Sequence, residues 1–164
     1  MSVVPRAAEE RDVPAVVALV NLAYRVEDFF KVAERTDEAE VRREMGRGVY
    51  LLHEDEGRLL GSVLVRITPR RGYFGMLSVH PEAQGSGLGR ALVRAAEAYA
   101  LERGCTAMDL SVASPRLELP PWYRKLGYRE CGTEPWEATE TISQPAHFIL
   151  MTRSLVEEPN ADRG

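Results

Sequence analysis

The sequence predicts a single α+β domain with a mostly antiparallel sheet. Three β-rich runs, residues 49–53, 59–67 and 72–79, follow one another with short turns between them, as in an antiparallel meander. A glycine-rich loop then connects the third run to an alanine-rich helix, and a further strand at residues 107–112 follows that helix directly. The meander and this second unit define the fold class, and the remaining elements complete it.

Length and charge limit the kinds of protein that fit. With 164 residues the chain can bury one substantial core, so we predict one domain over residues 1–155 and a mobile polar tail over residues 156–164. The net charge of −4 and the lack of a basic stretch argue against a nucleic-acid partner. An acidic balance favours amines and other cationic small molecules instead.

The N-terminus and the cysteines bear on location. Charged residues interrupt the first apolar stretch, so we expect neither a signal peptide nor a membrane span. Cys105 and Cys131 are too few for a disulfide framework and lack the spacing of a zinc site, so we predict two reduced, buried thiols and no metal. These features predict a cytoplasmic protein.

The first elements are a short strand and an amphipathic helix. The strand is predicted within residues 3–7, where Pro5 confines it to a sheet edge. Asp12 is predicted to cap the helix, and Pro14 in the first turn agrees with that start. Apolar residues at helical spacing predict the buried face of the helix: Val13, Val16, Val17, Val20 and Tyr24.

A second helix precedes the meander. Thr36 or Asp37 is predicted to cap it, and it runs to Met45 before glycines end it. The first two β-rich runs are then joined by a tight turn at residues 54–57, in which Gly57 occupies the position that requires a positive φ.

The alanine-rich helix begins beyond a polar turn at residues 80–83 and ends near Gly104. Its apolar face is predicted to comprise Leu88, Leu92, Ala95, Ala96 and Tyr99. Its solvent face is predicted to comprise Arg90, Arg94, Glu97 and Glu102.

The last elements are a short helix and two strands. Pro120 and Pro121 open the helix, and Gly127 ends it in the manner of a C′ glycine. Residues 128–133 and 147–152 are the predicted strands, and a long polar loop separates them.

The loop from Gln84 to Gly89 is a candidate anion-binding site. Backbone N–H groups at a helix N-terminus have no partner within the helix, and the helix dipole adds positive potential, so a diphosphate would suit it. Three other glycine loops do not match. The dinucleotide fingerprint would need glycine at Arg90 or Leu92, the P-loop needs Gly-Lys-Ser or Gly-Lys-Thr, and the serine-hydrolase elbow needs glycine at Gln84.

The remaining pattern is Gln-x-x-Gly-x-Gly, formed by Gln84, Gly87 and Gly89. Following a hydrophobic strand and Pro81, this segment resembles the phosphate-binding loop of the GNAT superfamily of N-acetyltransferases. Residues 122–128, Trp-Tyr-Arg-Lys-Leu-Gly-Tyr, are similar to the segment that closes the cofactor groove in the same superfamily. The resemblance covers nearly the whole chain, and it is specific in these two segments.

The resemblance implies a fold, a cosubstrate and a set of binding residues. The fold is one three-layer domain whose central, mostly antiparallel, splayed sheet of six to seven strands is flanked by about four helices. The cosubstrate is acetyl-CoA, whose pantetheine arm pairs with the backbone of the strand before the loop, while loop N–H groups hold the diphosphate. The implied cofactor-binding residues are Leu77, Ser78, Val79, Gln84, Gly85, Ser86, Gly87, Leu88, Gly89 and Arg90.

Tyr123 is the catalytic residue that the resemblance implies. It matches the tyrosine that, in many members, stands beside the thioester sulfur and protonates the departing thiolate. A phenol with a pKa of about 10 is a neutral donor at pH 7 and can supply that proton. The sequence departs from the family pattern at Arg116, where many members carry an asparagine, and the role of this arginine stays open.

The implied reaction is direct transfer of the acetyl group to an amine within a ternary complex. An amino acid, a polyamine, an aminoglycoside, a peptide N-terminus or a lysine side chain would each suit the fold as acceptor. Four carboxylates lie where the acceptor pocket is expected, and none stands out as a general base: Glu27, Asp28, Glu34 and Asp37.

Two alternatives to this enzyme are weighed. The first is a CoA-binding sensor or interaction module that keeps the cofactor site without turnover, and the second is a nucleotide-binding α/β protein, which the loop spacing disfavours. The resemblance also implies a possible homodimer.

Overall fold

The structure is a computed structural model that describes residues 3–156 of the chain. The strands are β1 (Arg6–Ala7), β2 (Gly48–Asp55), β3 (Arg58–Thr68), β4 (Arg71–Val79), β5 (Ala107–Ala113), β6 (Arg129–Pro135) and β7 (His147–Ser154). The helices are α1 (Val13–Ala23), α2 (Glu38–Met45), α3 (Leu88–Glu102) and α4 (Leu119–Lys125). They follow one another in the predicted order. The predicted tail falls outside the described residues from position 157 onward.

All seven strands form one mixed sheet in the order β1-β2-β3-β4-β5-β7-β6. Every neighbouring pair is antiparallel except β4 and β5, which run parallel and pair only from Arg71↔Ala107 to Tyr73↔Asp109. Beyond Tyr73 the two strands separate, because β4 continues along β3 while β5 continues along β7. The predicted splayed, mostly antiparallel sheet is confirmed, and its gap opens in the middle of the sheet.

Helices cover both faces of the sheet and complete the three predicted layers. α1 and α2 pack on one face, in a core of Val13, Val16, Val20, Val41, Tyr50, Leu52, Leu64 and Met76. α3 and α4 pack on the other face, in a core that includes Leu88, Leu92, Val93, Ala96, Val63, Val65, Phe74, Met108 and Tyr123. Neighbouring residues of β3 point to opposite cores, as the two-residue period of a strand requires. Among the described helices, none is long and apolar enough to cross a bilayer.

A β-bulge interrupts β4 close to the gap. The register shifts between Ser62, which pairs with Ser78, and Leu64, which pairs with Gly75. Met76 at the bulge has a φ of 53°, which is uncommon for a residue other than glycine. A bulge bends its strand and increases the local twist. This one lies where β4 is already separated from β5, so it sets the direction of the strand along the gap.

Three predictions about single side chains were wrong. The carboxylate of Asp12 makes no capping bond to α1, because it accepts hydrogen bonds from the Arg6 guanidinium and the Glu9 N–H, both at 2.7 Å. Glu97, predicted to face solvent, is buried among basic side chains and a tyrosine. Cys131, predicted to be buried, is exposed on β6, which is an edge strand.

Candidate active site

The loop before α3 presents backbone N–H groups that are free to bind an anion. Gly85 and Gly87 have φ angles of 80° and 86°, which L residues rarely adopt, and a Cβ at either position would meet nothing within 4 Å. The Ala91 N–H donates to the Gly87 carbonyl at 3.0 Å and begins the helical pattern. Within the described chain, none of the N–H groups of residues 85–90 makes a hydrogen bond of normal geometry, which fits a bound diphosphate.

A groove of about 480 Å³ runs from this loop along β4. Four of the predicted cofactor-binding residues line it: Leu77, Val79, Gln84 and Gly89. Its opposite wall comes from α4 and the turn before it, through Arg116, Leu119, Trp122 and Tyr123. The groove therefore joins the two segments that carry the sequence resemblance.

The other predicted cofactor residues lie around the loop in different ways. The Ser78 side chain is buried and donates to the Met76 carbonyl at 2.9 Å, and Leu88 is buried in the core, so each can offer only its backbone. The Ser86 hydroxyl donates to the Ala83 carbonyl and braces the loop. Gly87 and Arg90 line a separate surface cavity of about 620 Å³ along α3.

Tyr123 stands where the groove meets the gap in the sheet. It lines both the groove and a cavity of about 150 Å³ that lies inside the gap. Its ring packs edge-on against Trp122 and Tyr128, with centroids 4.9 and 6.0 Å away. Gly127, with a φ of 102°, turns the chain directly after α4 and lets Tyr128 reach this contact.

The environment of Tyr123 keeps its hydroxyl protonated. Burial raises the pKa of Tyr123 well above its ordinary value, and the nearby Tyr24 adds to the rise. Burial likewise raises the pKa of Tyr24 to about 12. At neutral pH both phenols are therefore neutral and can donate a hydrogen bond into the space between groove and gap.

The cavity inside the gap has a mixed lining. Residues 74–77 of β4, residues 110–113 of β5 and Tyr123 contribute to it. Charged and aromatic side chains from other parts of the sequence also line it: Glu27, Lys31, Arg35, Tyr73, Trp136 and Phe148. The cavity adjoins the cofactor groove, because both are lined by Tyr24, Leu77, Leu119 and Tyr123.

A buried ion pair connects the groove to this cavity. Arg116, which lines the groove, donates to Glu27 at 2.9 Å, and the two side chains are only 14% and 6% exposed. Arg116 also bonds the more exposed Glu118 at 2.6 Å. The arginine that departs from the family pattern thus has a local role, which the sequence could not reveal because its partner is far away in the chain.

The four candidate carboxylates have separate environments. Glu27 alone is buried and reaches the cavity, where Arg116 holds it. Asp37 caps α2 by accepting the Glu40 N–H at 2.8 Å, as one of the two predicted caps. Asp28 and Glu34 are exposed and line an outer pocket of about 350 Å³.

The loop between β6 and β7 closes the outer side of the cavity. Trp136 stacks on Phe148 with centroids 4.5 Å apart. Backbone hydrogen bonds tie this loop to the segment after α1, from the Val32 N–H to the Thr141 carbonyl at 3.0 Å and from the Ser143 N–H to the Phe30 carbonyl at 2.8 Å. Trp122 and Trp136 line the groove and the cavity respectively.

A helix start with unbonded N–H groups, a groove along an opened strand and a buried tyrosine at the gap fit an acyltransferase that binds its donor along the sheet. The chain matches the Acetyltransferase (GNAT) family over residues 17–128, and it belongs to that family. It is accordingly an acetyl-CoA-dependent N-acetyltransferase.

Solved structures with the same fold cover almost the whole chain. The ribosomal-protein-S18-alanine N-acetyltransferase of Escherichia coli is 18% identical, with a TM-score of 0.75 over 96% of this chain and 97% of that one. An aminoglycoside 6'-N-acetyltransferase complexed with coenzyme A is 16% identical, with a TM-score of 0.72 over 96% and 99%. A Salmonella typhimurium protein solved with its cofactor acetyl-CoA is 21% identical, with a TM-score of 0.70 over 100% of both chains. Such identities show the fold and leave the acceptor open.

Proposed function

We propose that the protein transfers the acetyl group of acetyl-CoA directly to the amine of a small molecule or peptide, with Tyr123 as the proton donor to the leaving thiolate. The observation that carries this proposal is the position of Tyr123, which lines both the cofactor groove and the cavity in the sheet. A donor bound in the groove and an amine in the cavity would meet at this side chain.

The cofactor roles follow from backbone groups. The free N–H groups of residues 85–90 would hold the diphosphate, and Gln84 would order the loop. Beyond Tyr73, the edge of β4 that faces away from β3 no longer pairs with β5, so its backbone groups are available to the pantetheine arm. Donors on the same edge would stabilise negative charge that develops on the acetyl oxygen.

The chemistry requires a neutral amine and a protonated phenol. Only the neutral amine attacks the thioester carbonyl, so the acceptor must lose a proton before or during attack. The raised pKa of Tyr123 means that its hydroxyl keeps its proton through the neutral range. Loss of rate through ionisation of Tyr123 is therefore expected only above the ordinary tyrosine pKa of 10.0.

Replacing Tyr123 by phenylalanine tests the proposal. Without the proton donor, Tyr123→Phe should lower kcat about 100-fold and leave acetyl-CoA affinity nearly unchanged, because general-acid catalysis contributes at least that much. The rate is followed as CoA release with a panel of amines, and affinity by calorimetry. Tyr99→Phe on α3, outside the groove and the cavity, is the matched control. Unchanged turnover in Tyr123→Phe at neutral pH would remove Tyr123 from the mechanism.

A CoA-binding module without turnover is the competing function. It predicts that acetyl-CoA binds and stabilises the protein while no amine in a broad panel is acetylated. The buried tyrosine at the meeting point of groove and cavity favours the enzyme, because binding alone requires no proton donor there. A cytoplasmic location and a homodimer are further inferences from the family resemblance and from the two free cysteines.

A further inference from the structure

The charged side chains on the acceptor side of the cavity point to one class of acceptor. We propose that the protein acetylates a free amino acid, whose carboxylate is bound by Lys31 and Arg35 while its amine enters the gap towards Tyr123. This inference rests on the proposed transfer function and narrows its acceptor.

Lys31 has a half-buried ammonium that lacks an anionic partner. Within residues 3–156, no carboxylate forms an ion pair or a hydrogen bond with it. Burial lowers the pKa of Lys31, and the nearby Arg35 lowers it further, although Glu27, Glu40 and Asp28 act in the opposite direction. A half-buried cation of this kind is stabilised when an anion binds beside it.

Two of the three acidic groups near Lys31 are already engaged, and the third, Asp28, is exposed at the outer pocket. Glu27 is held by Arg116 at 2.9 Å, and Glu40 accepts the Thr36 hydroxyl at 3.1 Å. Arg35 forms a long ion pair with Glu40 at 3.9 Å, beyond hydrogen-bond distance, and its guanidinium lies over the Tyr24 ring at 5.2 Å. Arg35 therefore keeps its planar set of donors for a ligand, in the geometry that suits a carboxylate.

Lys31 and Arg35 lie where the inner cavity and the outer pocket meet. Lys31, Arg35 and Tyr24 line both the inner cavity of about 150 Å³ and the outer pocket of about 350 Å³. Tyr123 lines only the inner one of these two. An acceptor whose amine lies near Tyr123 can therefore extend past Lys31 and Arg35 towards the outer pocket, which fits a carboxylate on the acceptor and a side chain in the outer pocket.

The backbone holds Lys31 in place. Lys31 forms a β-bridge with Ile142 in the loop between β6 and β7, and the flanking hydrogen bonds of Phe30 and Val32 fix the same segment. The ammonium is therefore presented by an ordered backbone. The inner cavity disfavours a polycation, because Lys31 and Arg35 line it and the carboxylate of Glu27 is paired. The overall acidic charge of the chain does not predict this local excess.

Matched pairs of acceptors test the proposal. Free L-methionine, L-phenylalanine and L-glutamate are compared with their carboxamides, and spermidine and kanamycin serve as polycations, with CoA release as the readout. Because the amide lacks the anion, kcat/KM should be at least about tenfold higher for the free acid. Lys31→Gln and Arg35→Gln should each reduce that preference by raising KM for the free acid more than KM for the amide. Arg43→Gln, which removes an exposed charge from α2, should keep the preference.

The outcomes separate the two proposals. Equal or better turnover of amides or polycations would overturn the amino-acid acceptor and leave acetyl transfer standing. Loss of kcat with all substrates in Lys31→Gln would mark a structural role and also overturn it. If no amine is acetylated while calorimetry finds amino-acid binding that Lys31→Gln abolishes, carboxylate recognition stands and the transfer function fails. If neither turnover nor amino-acid binding is found, both proposals fail.

Discussion

The two sides of the proposed active site, one for the cofactor and one for the acceptor, are built by different means. The cofactor side uses backbone groups of one continuous stretch, from β4 through the glycine loop to the first turn of α3. The acceptor side uses side chains from the segment after α1, from β4 and β5, and from the loop before β7. Backbone donors serve the constant part of the reaction, whereas side chains from distant segments serve the part that varies among relatives.

This difference explains why the sequence marks one side of the site more clearly than the other. A backbone site needs residues that allow one conformation, so glycines at fixed spacing are enough to mark it. A side-chain site needs particular groups to meet in space, and the sequence gives no direct sign of which ones will meet. The sequence therefore marks the cofactor side directly and gives no direct sign of the acceptor side.

The largest expected effect comes from placing a charge in the backbone site. Gly87→Glu should weaken acetyl-CoA binding about 1,000-fold, because a carboxylate beside the diphosphate adds like-charge repulsion of several kcal/mol. Calorimetry with acetyl-CoA measures the change. Normal affinity in this variant would refute the assignment of the loop.

Gly57→Glu is the matched control for Gly87→Glu. Gly57 lies in the hairpin between β2 and β3, has a φ of 76°, and a Cβ there would also meet nothing within 4 Å. Both variants should lose a similar free energy of unfolding, about 1 kcal/mol, from the positive φ. Only Gly87→Glu should lose the cofactor.

The sequence predicted the fold well, whereas the cofactor role of the glycine loop stays a prediction. Glycine and proline placement and apolar periodicity are local signals that led to the order of elements, and the family resemblance of the Gln-x-x-Gly-x-Gly pattern implied the splayed sheet. The sequence predicted neither Lys31 and Arg35 as a pair nor the partner of Arg116. Glu27 and Arg116 are separated by 89 positions and meet only because α1 and α4 flank the same opening of the sheet.

The Arg116–Glu27 pair links the two sides, and removing one partner should destabilise the protein. Arg116→Met leaves the Glu27 carboxylate buried without its partner, so the free energy of unfolding should fall by about 3 kcal/mol. The double variant Arg116→Met/Glu27→Met should recover much of this loss, since no unpaired charge remains. Urea unfolding measures both.

Arg58→Met provides the control for the buried pair. Arg58 and Glu82 form an ion pair at 2.7 Å in which both side chains are more than half exposed, so its loss should change stability by less than about 1 kcal/mol. An Arg116→Met variant as stable as Arg58→Met would show that the two sides of the site are not coupled through this pair.

The buried Glu97 is an exception to the contrast between the two sides, because it belongs to a side-chain network on the cofactor side. Its helical position predicted exposure, yet it accepts hydrogen bonds from Arg94 and Arg153 at 2.8 Å and from the Tyr128 hydroxyl at 2.7 Å. Arg153 lies on β7, so the periodicity of α3 gave no sign of this partner. The helix that carries the cofactor loop is therefore also held by side chains from distant segments.

The smallest expected effect tests whether the Glu97 network stabilises α3 and the loop before it. Tyr128→Phe removes one hydrogen bond to Glu97 and leaves both arginines in place, so the free energy of unfolding should fall by about 1.5 kcal/mol. Acetyl-CoA affinity should stay within about twofold, because the loop N–H groups are untouched. Tyr99→Phe, whose hydroxyl bonds no group of the described residues, should leave stability unchanged in the same urea titration. Equal losses in the two variants would mean that the Glu97 network does not stabilise α3, and a large loss of cofactor affinity in Tyr128→Phe would mean that the loop depends on it.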